Sequence, residues 1–135
     1  MMRRPVLVSE VLGLLVSKLL ALDQATRTSG YAIFDSGKLI DYGTFTFTDE
    51  DIGERLVKIR NKILSLIKIH NINEVAFEDI QLQGNVINNV ETFKVLAEVF
   101  GVFYETLKEV EMSYYIVPSV TWKSKLGIKG AKRAD

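Results

Sequence analysis

Two acidic side chains stand where a fold would hold them still. Asp23 closes the short apolar run Leu19-Leu-Ala-Leu-Asp23, and Glu78 closes Glu74-Val-Ala-Phe-Glu78. Runs of this length and composition read as buried strands, so the backbones of both acids are pinned by the core. A carboxylate at the end of a buried strand contributes little to solubility and is well placed to hold a cation. Either acid alone has an ordinary alternative as a solvated strand end; the pair in this strand order is more specific. Arg27, in the turn after Asp23, is placed to reach a phosphate, or is a plain surface arginine. Asp79 follows Glu78 directly and so points to the opposite face of the strand. Glu74 and Asp35 read as solvated.

Other chemistries are excluded by what the chain lacks. It has 135 residues, no cysteine and one histidine, His70. Disulfides, thiolate zinc sites and cysteine nucleophiles are ruled out, a histidine metal cluster cannot form, and a Ser-His triad is disfavoured. The absence of cysteine fits a reducing compartment. His70 reads as a helix-end residue without a catalytic role.

The elements that must position the two acids follow from periodicity. Leu19–Asp23 is a first strand. Ser29–Asp35 is a second, and Ser36-Gly37 supplies a hairpin turn. Leu39–Phe47 alternates as a third strand, with Leu39, Asp41, Gly43, Phe45 and Phe47 on one side. Thr48, with Asp51 three residues later, has the form of a capping box. Ile52, Leu56, Ile59, Ile63 and Leu66 then repeat at helical spacing, and this first helix ends near His70-Asn71. Glu74–Glu78 is the fourth strand. A polar loop follows, and then a second helix carries Val90, Phe93, Ala97, Phe100, Tyr104 and Leu107 on one face. Val95, Val99 and Val102 form a neighbouring stripe, read as a contact for a second subunit. Tyr114–Pro118 is the fifth strand, and Ser119–Trp122 starts a third helix, where Trp122 is a packing anchor. The order is βββ-α-β-α-β-α, an α/β fold with a mixed sheet.

Charge is unevenly placed although it sums to zero. Residues 74–111 carry eight acidic and two basic groups, while residues 121–135 carry five basic and one acidic. The basic group comprises Lys123, Lys125, Lys129, Lys132 and Arg133, flanking Gly127 and Gly130. Basic residues on a flexible turn suit backbone phosphates; a solvated basic terminus is the plain alternative. Met1–Leu22 has two arginines and an apolar stretch, but Glu10 and Lys18 interrupt it. The longest uncharged run, Val11–Ser17, is far shorter than the roughly 20 residues needed to span a bilayer, so residues 1–18 read as an N-terminal extension rather than a signal peptide.

Three blocks together resemble the RuvC-type Holliday-junction resolvases, most nearly the short branch found in bacteriophages of Gram-positive hosts. They are L-A-L-D-Q-A-T-R-T-S-G-Y-A-I-F (Leu20–Phe34), V-A-F-E (Val75–Glu78) and V-P-S-V-T-W-K-S-K-L-G-I-K-G (Val117–Gly130). The resemblance covers residues 19–135. It implies a ribonuclease H-like fold with three antiparallel strands followed by two parallel ones and helices on the faces of the sheet. It also implies a homodimer acting on four-way or other branched DNA in recombination and repair, in the cytoplasm of a bacterial or phage-infected cell. Two Mg²⁺ or Mn²⁺ ions per active site are implied as cofactors.

By this resemblance Asp23 and Glu78 match the catalytic, metal-holding acids of the first and fourth strands. Arg27, Asn85, Asn88 and the basic residues of 123–133 fall where relatives approach DNA; Asn85, Asn88 and Asn89 serve equally as caps for the second helix. Relatives continue into a last helix with two further acids spaced D-x-x-D. This chain reads as lacking that helix, and Asp135 is a weak candidate for a third metal ligand. Some relatives carry an aromatic three residues after the glutamate, where Gln81 stands here. With Asp23, Glu78 and one bridging phosphate against two divalent ions, one metal is expected to be loosely held and cutting to be weak.

Two other readings belong beside this one. The sugar-kinase and chaperone ATPases share a strand-end aspartate before a hairpin, but they need a second domain and a glycine-rich second phosphate loop that this chain lacks. A DNA-binding or assembly module of the same fold with incomplete chemistry is the other.

Overall fold

The computed structural model describes residues 17–80 and 90–118. Five strands, β1 (Lys18–Asp23), β2 (Thr28–Asp35), β3 (Lys38–Thr46), β4 (Glu74–Glu78) and β5 (Ser113–Val117), form one sheet in the order β3-β2-β1-β4-β5. β2 runs antiparallel to both β1 and β3, and β4 and β5 run parallel to β1. Helix α1 (Ile52–His70) joins β3 to β4, and α2 (Val90–Glu109) lies between β4 and β5. The element order through the fifth strand is that read from periodicity, and the strand directions are those the family resemblance implies. The third helix expected from Ser119 lies outside the described residues.

The sheet is two-faced because its side chains alternate. Leu20 and Leu22 of β1, Ile33 of β2, Phe45 of β3, and Val75 and Phe77 of β4 meet Ile59, Ile63 and Leu66 of α1 and Val99, Phe103 and Leu107 of α2 in one buried cluster. Both helices therefore pack on this face. Phe77 is the hub of its aromatic part, with ring centroids 5.4 Å from Phe100, 5.7 Å from Phe103 and 6.0 Å from Tyr114. Tyr104 lies 5.8 Å from Tyr114. Burial, and then a hydrogen bond and repulsion from Tyr104, push the Tyr114 phenol above its usual range.

Local chemistry accounts for the ends of the elements. Ser36 and Gly37 both adopt positive φ (55° and 83°), the primed-turn geometry that suits the right-handed twist of a β2–β3 hairpin. A bulge between Ile33 and Phe34 then shifts the register, so that Ile33 pairs with Asp41 and Phe34 with Leu39. Leu39 and Ile40 are consequently both exposed, which corrects the simple alternation expected through Leu39. Tyr31 covers Gly43 on the core side: a Cβ on Gly43 would lie 2.9 Å from the phenol oxygen and 3.0 Å from the ring.

The N-cap of α1 is Asp51, whose Oδ1 accepts from the Gly53 N–H at 3.0 Å, not Thr48 as the capping-box pattern suggested. At the other end Asn71 takes the left-handed conformation that closes the helix. On α2 the reading of two residues of the valine stripe is corrected, while Phe100 and Leu107 of the other stripe pack on the core as well. Val99 is fully buried and Val95 packs on the core, so these two valines face the sheet and not a second subunit. Among the described residues, no helix is long and apolar enough to cross a membrane.

Candidate active site

The site is built at the end of the sheet where β1 and β4 finish together. These strands are parallel neighbours with Leu20 opposite Val75 and Leu22 opposite Phe77, all four on the core face. The next residues along each strand are Asp23 and Glu78. Alternation along each strand turns both away from that core face, at the ends of two neighbouring strands and one position past their last pair. On the far side of β1, Asp23 pairs with Gly30 of β2, and Gly30 pairs in turn with Thr44 of β3. On the far side of β4, Glu78 pairs with Val117 of β5. Each acid is thus paired on its outer side, Asp23 toward Gly30 and Glu78 toward Val117, one position past the last β1–β4 pair, Leu22 with Phe77.

Both acids are held rather than free in solvent. Glu78 is only 5% exposed, and Oδ1 of Asp23 is buried. A Cβ on Gly30 would sit 3.9 Å from Cβ of Asp23, an ordinary contact, so the glycine leaves room beside the aspartate that a larger side chain would fill. The donor chemistry suits a hard divalent cation, for which Mg²⁺-type ions use carboxylate oxygens, phosphate oxygens and water. Among the described residues, no group of three or more acidic, histidine or cysteine side chains is assembled for metal.

Two polar side chains that sequence reasoning passed over brace this end of the sheet. Gln24, 6% exposed, donates from Nε2 to the main-chain oxygen of Glu78 at 2.6 Å and accepts at Oε1 from the Glu78 N–H at 3.1 Å. Arg55 of α1, also 6% exposed, donates from Nη1 to the Thr26 carbonyl at 2.9 Å and from Nε to the Asp49 carbonyl at 3.1 Å. The guanidinium therefore ties the β1–β2 turn to the approach of α1. Ser29 adds a third brace by accepting from the Ala25 N–H at 3.2 Å. Arg55 left a sequence signal, a charge among the core positions of a helix, next to Leu56 and four before Ile59. Gln24 left a weaker one, an amide directly after the strand-end aspartate.

The remaining candidates fall as follows. Arg27 is exposed in the β1–β2 turn, four residues from Asp23, and its carbonyl accepts from the Phe47 N–H at 3.2 Å. Asp79 is exposed, and its Oδ1 accepts from the Ile80 N–H at 2.8 Å. Glu74 is not solvated as expected: its Oε1 is buried and its Oε2 accepts from the Tyr115 hydroxyl at 3.3 Å. His70 is the last residue of α1, with Nε2 3.7 Å from Asp41 Oδ2. Gln81, Asn85, Asn88, Asn89, Trp122, Lys123, Lys125, Lys129, Lys132, Arg133 and Asp135 lie outside the described residues.

Comparison with known proteins gives a consistent result. The family model for crossover junction endodeoxyribonuclease RuvC matches residues 19–134. The crossover junction endodeoxyribonuclease RuvC of Ehrlichia chaffeensis is 32% identical over 72 residues, covering 50% of this chain and 46% of that protein. The protein of the same name from a Sulfurovum species is 30% identical over 99 residues, covering 64% of this chain and 62% of that protein. The matched part thus spans between about half and three-fifths of these relatives. Among solved structures, T. thermophilus RuvC in complex with Holliday junction substrate superposes with a TM-score of 0.68 at 16% identity, over 88% of this chain and 82% of that one. The yeast mitochondrial Holliday junction resolvase gives 0.58 at 10% identity, over 87% and 57%. At such identities the two superpositions establish the shared fold.

Proposed function

The chain belongs to the RuvC family of crossover junction endodeoxyribonucleases, and from that premise we propose that it is a divalent-metal-dependent endonuclease cutting Holliday junctions or other branched DNA. Asp23 and Glu78 are its active-site carboxylates. The observation that carries this reading is their placement: each acid directly follows the last pair, Leu22 with Phe77, of two parallel strands whose Leu20, Leu22, Val75 and Phe77 are buried in the core. Rigid strands, unlike loops, hold two like charges close without letting them turn away from each other.

Asp23 and Glu78 would hold Mg²⁺ or Mn²⁺, two ions per site, with the substrate phosphate completing the ligand set. When bound, such ions supply an activated water and charge stabilisation at the leaving oxygen. The protein's own residues do the rest. The strand ends fix where the carboxylates point, and Gly30 keeps the flank of Asp23 open to a phosphodiester. Arg27 offers a positive charge within one turn of the acids. The basic residues of 123–133 extend this toward neighbouring phosphates, offsetting the repulsion between carboxylates and DNA. A four-way junction has two exchanging strands related by two-fold symmetry, so a homodimer presenting two such sites fits it. With Val95 and Val99 committed to the core, the apolar residues of α2 left for that contact are Val102 and the opposite flank, Val90, Phe93 and Ala97. Action on DNA places the protein in the cytoplasm of the bacterial or phage-infected cell.

A catalytically incomplete DNA-binding module of the same fold is the second reading, favoured by the two-carboxylate donor set among the described residues. One experiment separates them. Incubated with a labelled four-way junction and Mg²⁺, the protein should nick strands at the crossover; chelation, Asp23→Asn or Glu78→Gln should stop cutting while junction binding in a gel-shift assay persists. Binding without cleavage by the unaltered chain would establish the module, and equal cleavage by Asp23→Asn would overturn the assignment of the acids.

A further inference from the structure

The ladder between β1 and β4 ends one position before the two acids. Its last pair is Leu22 with Phe77, after which β1 turns away through residues 24–27. A strand that loses its neighbour leaves main-chain groups without a rung, and buried ones must be satisfied in some other way. At Glu78 the side chain of Gln24 does this. Its carboxamide engages both the N–H and the C=O of Glu78, at 3.1 and 2.6 Å, which reproduces with a side chain the two bonds a continuing strand would have made. The Asp79 N–H meanwhile donates to Val117 O on the β5 side at 2.9 Å, so β4 is tethered on both edges at this level.

A similar device closes the other end of the same strand pair. Asn73 accepts at Oδ1 from the Lys18 N–H at 2.9 Å and donates its own N–H to the Lys18 carbonyl at 2.9 Å. The β1–β4 pair is therefore bracketed by an amide side chain at each end. Only the bracket at Gln24 touches the residues that carry the carboxylates: it follows Asp23 in sequence and bonds Glu78 in space.

We infer that Gln24 is a positioning residue that sets the separation of the Asp23 and Glu78 carboxylates through its paired hydrogen bonds to the Glu78 main chain. The inference rests on the reading above that these two acids hold metal together. The chemistry of the side chain is specific. A carboxamide offers one donor and one acceptor without charge; methionine fills the same space with neither, and asparagine has both but is one methylene too short to span the gap. Because Gln24 and Glu78 are buried, water cannot take over the bonds at no cost. Mg²⁺ demands near-ideal octahedral geometry, so a small drift between its two fixed ligands is felt directly in affinity.

The test uses the 135-residue chain with Gln24→Met, Gln24→Asn and Asp23→Asn, and three measurements: calorimetric titration with Mg²⁺, amide hydrogen exchange at Glu78 without metal, and thermal melting. In both Gln24 variants the Glu78 amide should exchange at least about tenfold faster, and the Mg²⁺ Kd should rise about 10- to 100-fold, as for loss of other groups that orient metal ligands. Should the Met variant fail to fold, the milder Asn variant carries the test. A purely structural role would lower the melting temperature and leave Kd unchanged at temperatures well below it; that result, with Asp23→Asn having lost Mg²⁺ binding, overturns the inference alone. Mg²⁺ binding by Asp23→Asn equal to that of the unaltered chain overturns the metal reading, and the inference with it.

Discussion

Arg55 offers the sharpest link between stability and the site. Its guanidinium is buried and makes two hydrogen bonds to main-chain carbonyls, one at Thr26 and one at Asp49, at 2.9 and 3.1 Å. Thr26 is three residues past Asp23, and Asp49 leads into α1 through its cap at Asp51, so Arg55, 29 positions after Thr26, joins the turn after the first acid to the start of a helix. Replacing it by methionine keeps most of the aliphatic stem and its packing but removes both donors. Hydrogen bonds from charged groups contribute about 1.5–3 kcal/mol each in net terms. Two at the low end sum to about 3 kcal/mol, and allowing for packing recovered by the thioether leaves about 2 kcal/mol or more. With a urea dependence of about 1–2 kcal/mol per molar for a domain of this size, the unfolding midpoint should fall by about 1 M or more. Urea titrations followed by far-ultraviolet circular dichroism measure this. Because the turn that bears Arg27 is released as well, junction cleavage measured far below the midpoint should also slow. A midpoint shift under about 0.3 M would show that the two carbonyls are equally well served by water, and would refute the brace.

Other predictions are more local. Among the described residues, Thr106 Oγ1 is buried in α2 without a hydrogen-bond partner; Thr106→Val removes that polar burden at nearly constant shape and should stabilise the fold by about 1 kcal/mol, seen as a melting point higher by about 3–5 °C. Gly30→Ala, whose methyl would make an ordinary 3.9 Å contact with Asp23 Cβ, should retain cleavage. Gly30→Leu, by filling the space beside that carboxylate, should suppress cleavage in a junction assay with a melting curve like that of the unaltered chain; full activity in the Leu variant would mean the flank of Asp23 is not used. Charge reversal of Lys129 and Lys132 should weaken binding to every DNA and reduce the slope of log K against log salt by about 2; an unchanged slope in fluorescence-anisotropy titrations would mean the two lysines touch no phosphate.

What the sequence displayed and what it hid divide along the range of the interactions. β4 begins and ends at Glu74 and Glu78 as read, and α1 runs from Ile52 to His70 as its stripe indicated, because burial on one side imposes a period that composition alone displays. The N-cap was missed because Thr48 and Asp51 both have side chains able to cap, and only the backbone angles of Asp51 (φ −72°, ψ 115°) decide between them. The orientation of α2 was missed for a different reason. Its apolar residues extend from Val95, Val99 and Phe103 round to Phe93 and Ala97, an arc too wide to show which part meets the sheet, and the core took Val95 and Val99 together with Phe100 and Leu107. The bulge at Ile33/Phe34 left no local mark, so the side on which Leu39 falls could not be read.

At the site the same division holds. Asp23 and Glu78 were visible as acids ending apolar strands, and their adjacency required only that β1 and β4 be neighbours. The hydrogen bonds of Gln24 span 54 residues and depend on β1 turning away one position before β4 ends. No periodicity records that. Glu74 shows the converse, since an acid at the start of the same strand looked like a solvated terminus and is instead drawn to the Tyr115 hydroxyl on the edge strand.

Whether the two carboxylates share a cation is tested most directly by diffraction from crystals of the protein soaked in Mn²⁺, with the anomalous signal of manganese used to place the ion. A peak between the carboxyl groups of Asp23 and Glu78, within about 2.0–2.3 Å of an oxygen from each, is the predicted result. Manganese bound elsewhere on the protein, with the two carboxylates turned apart, would contradict it.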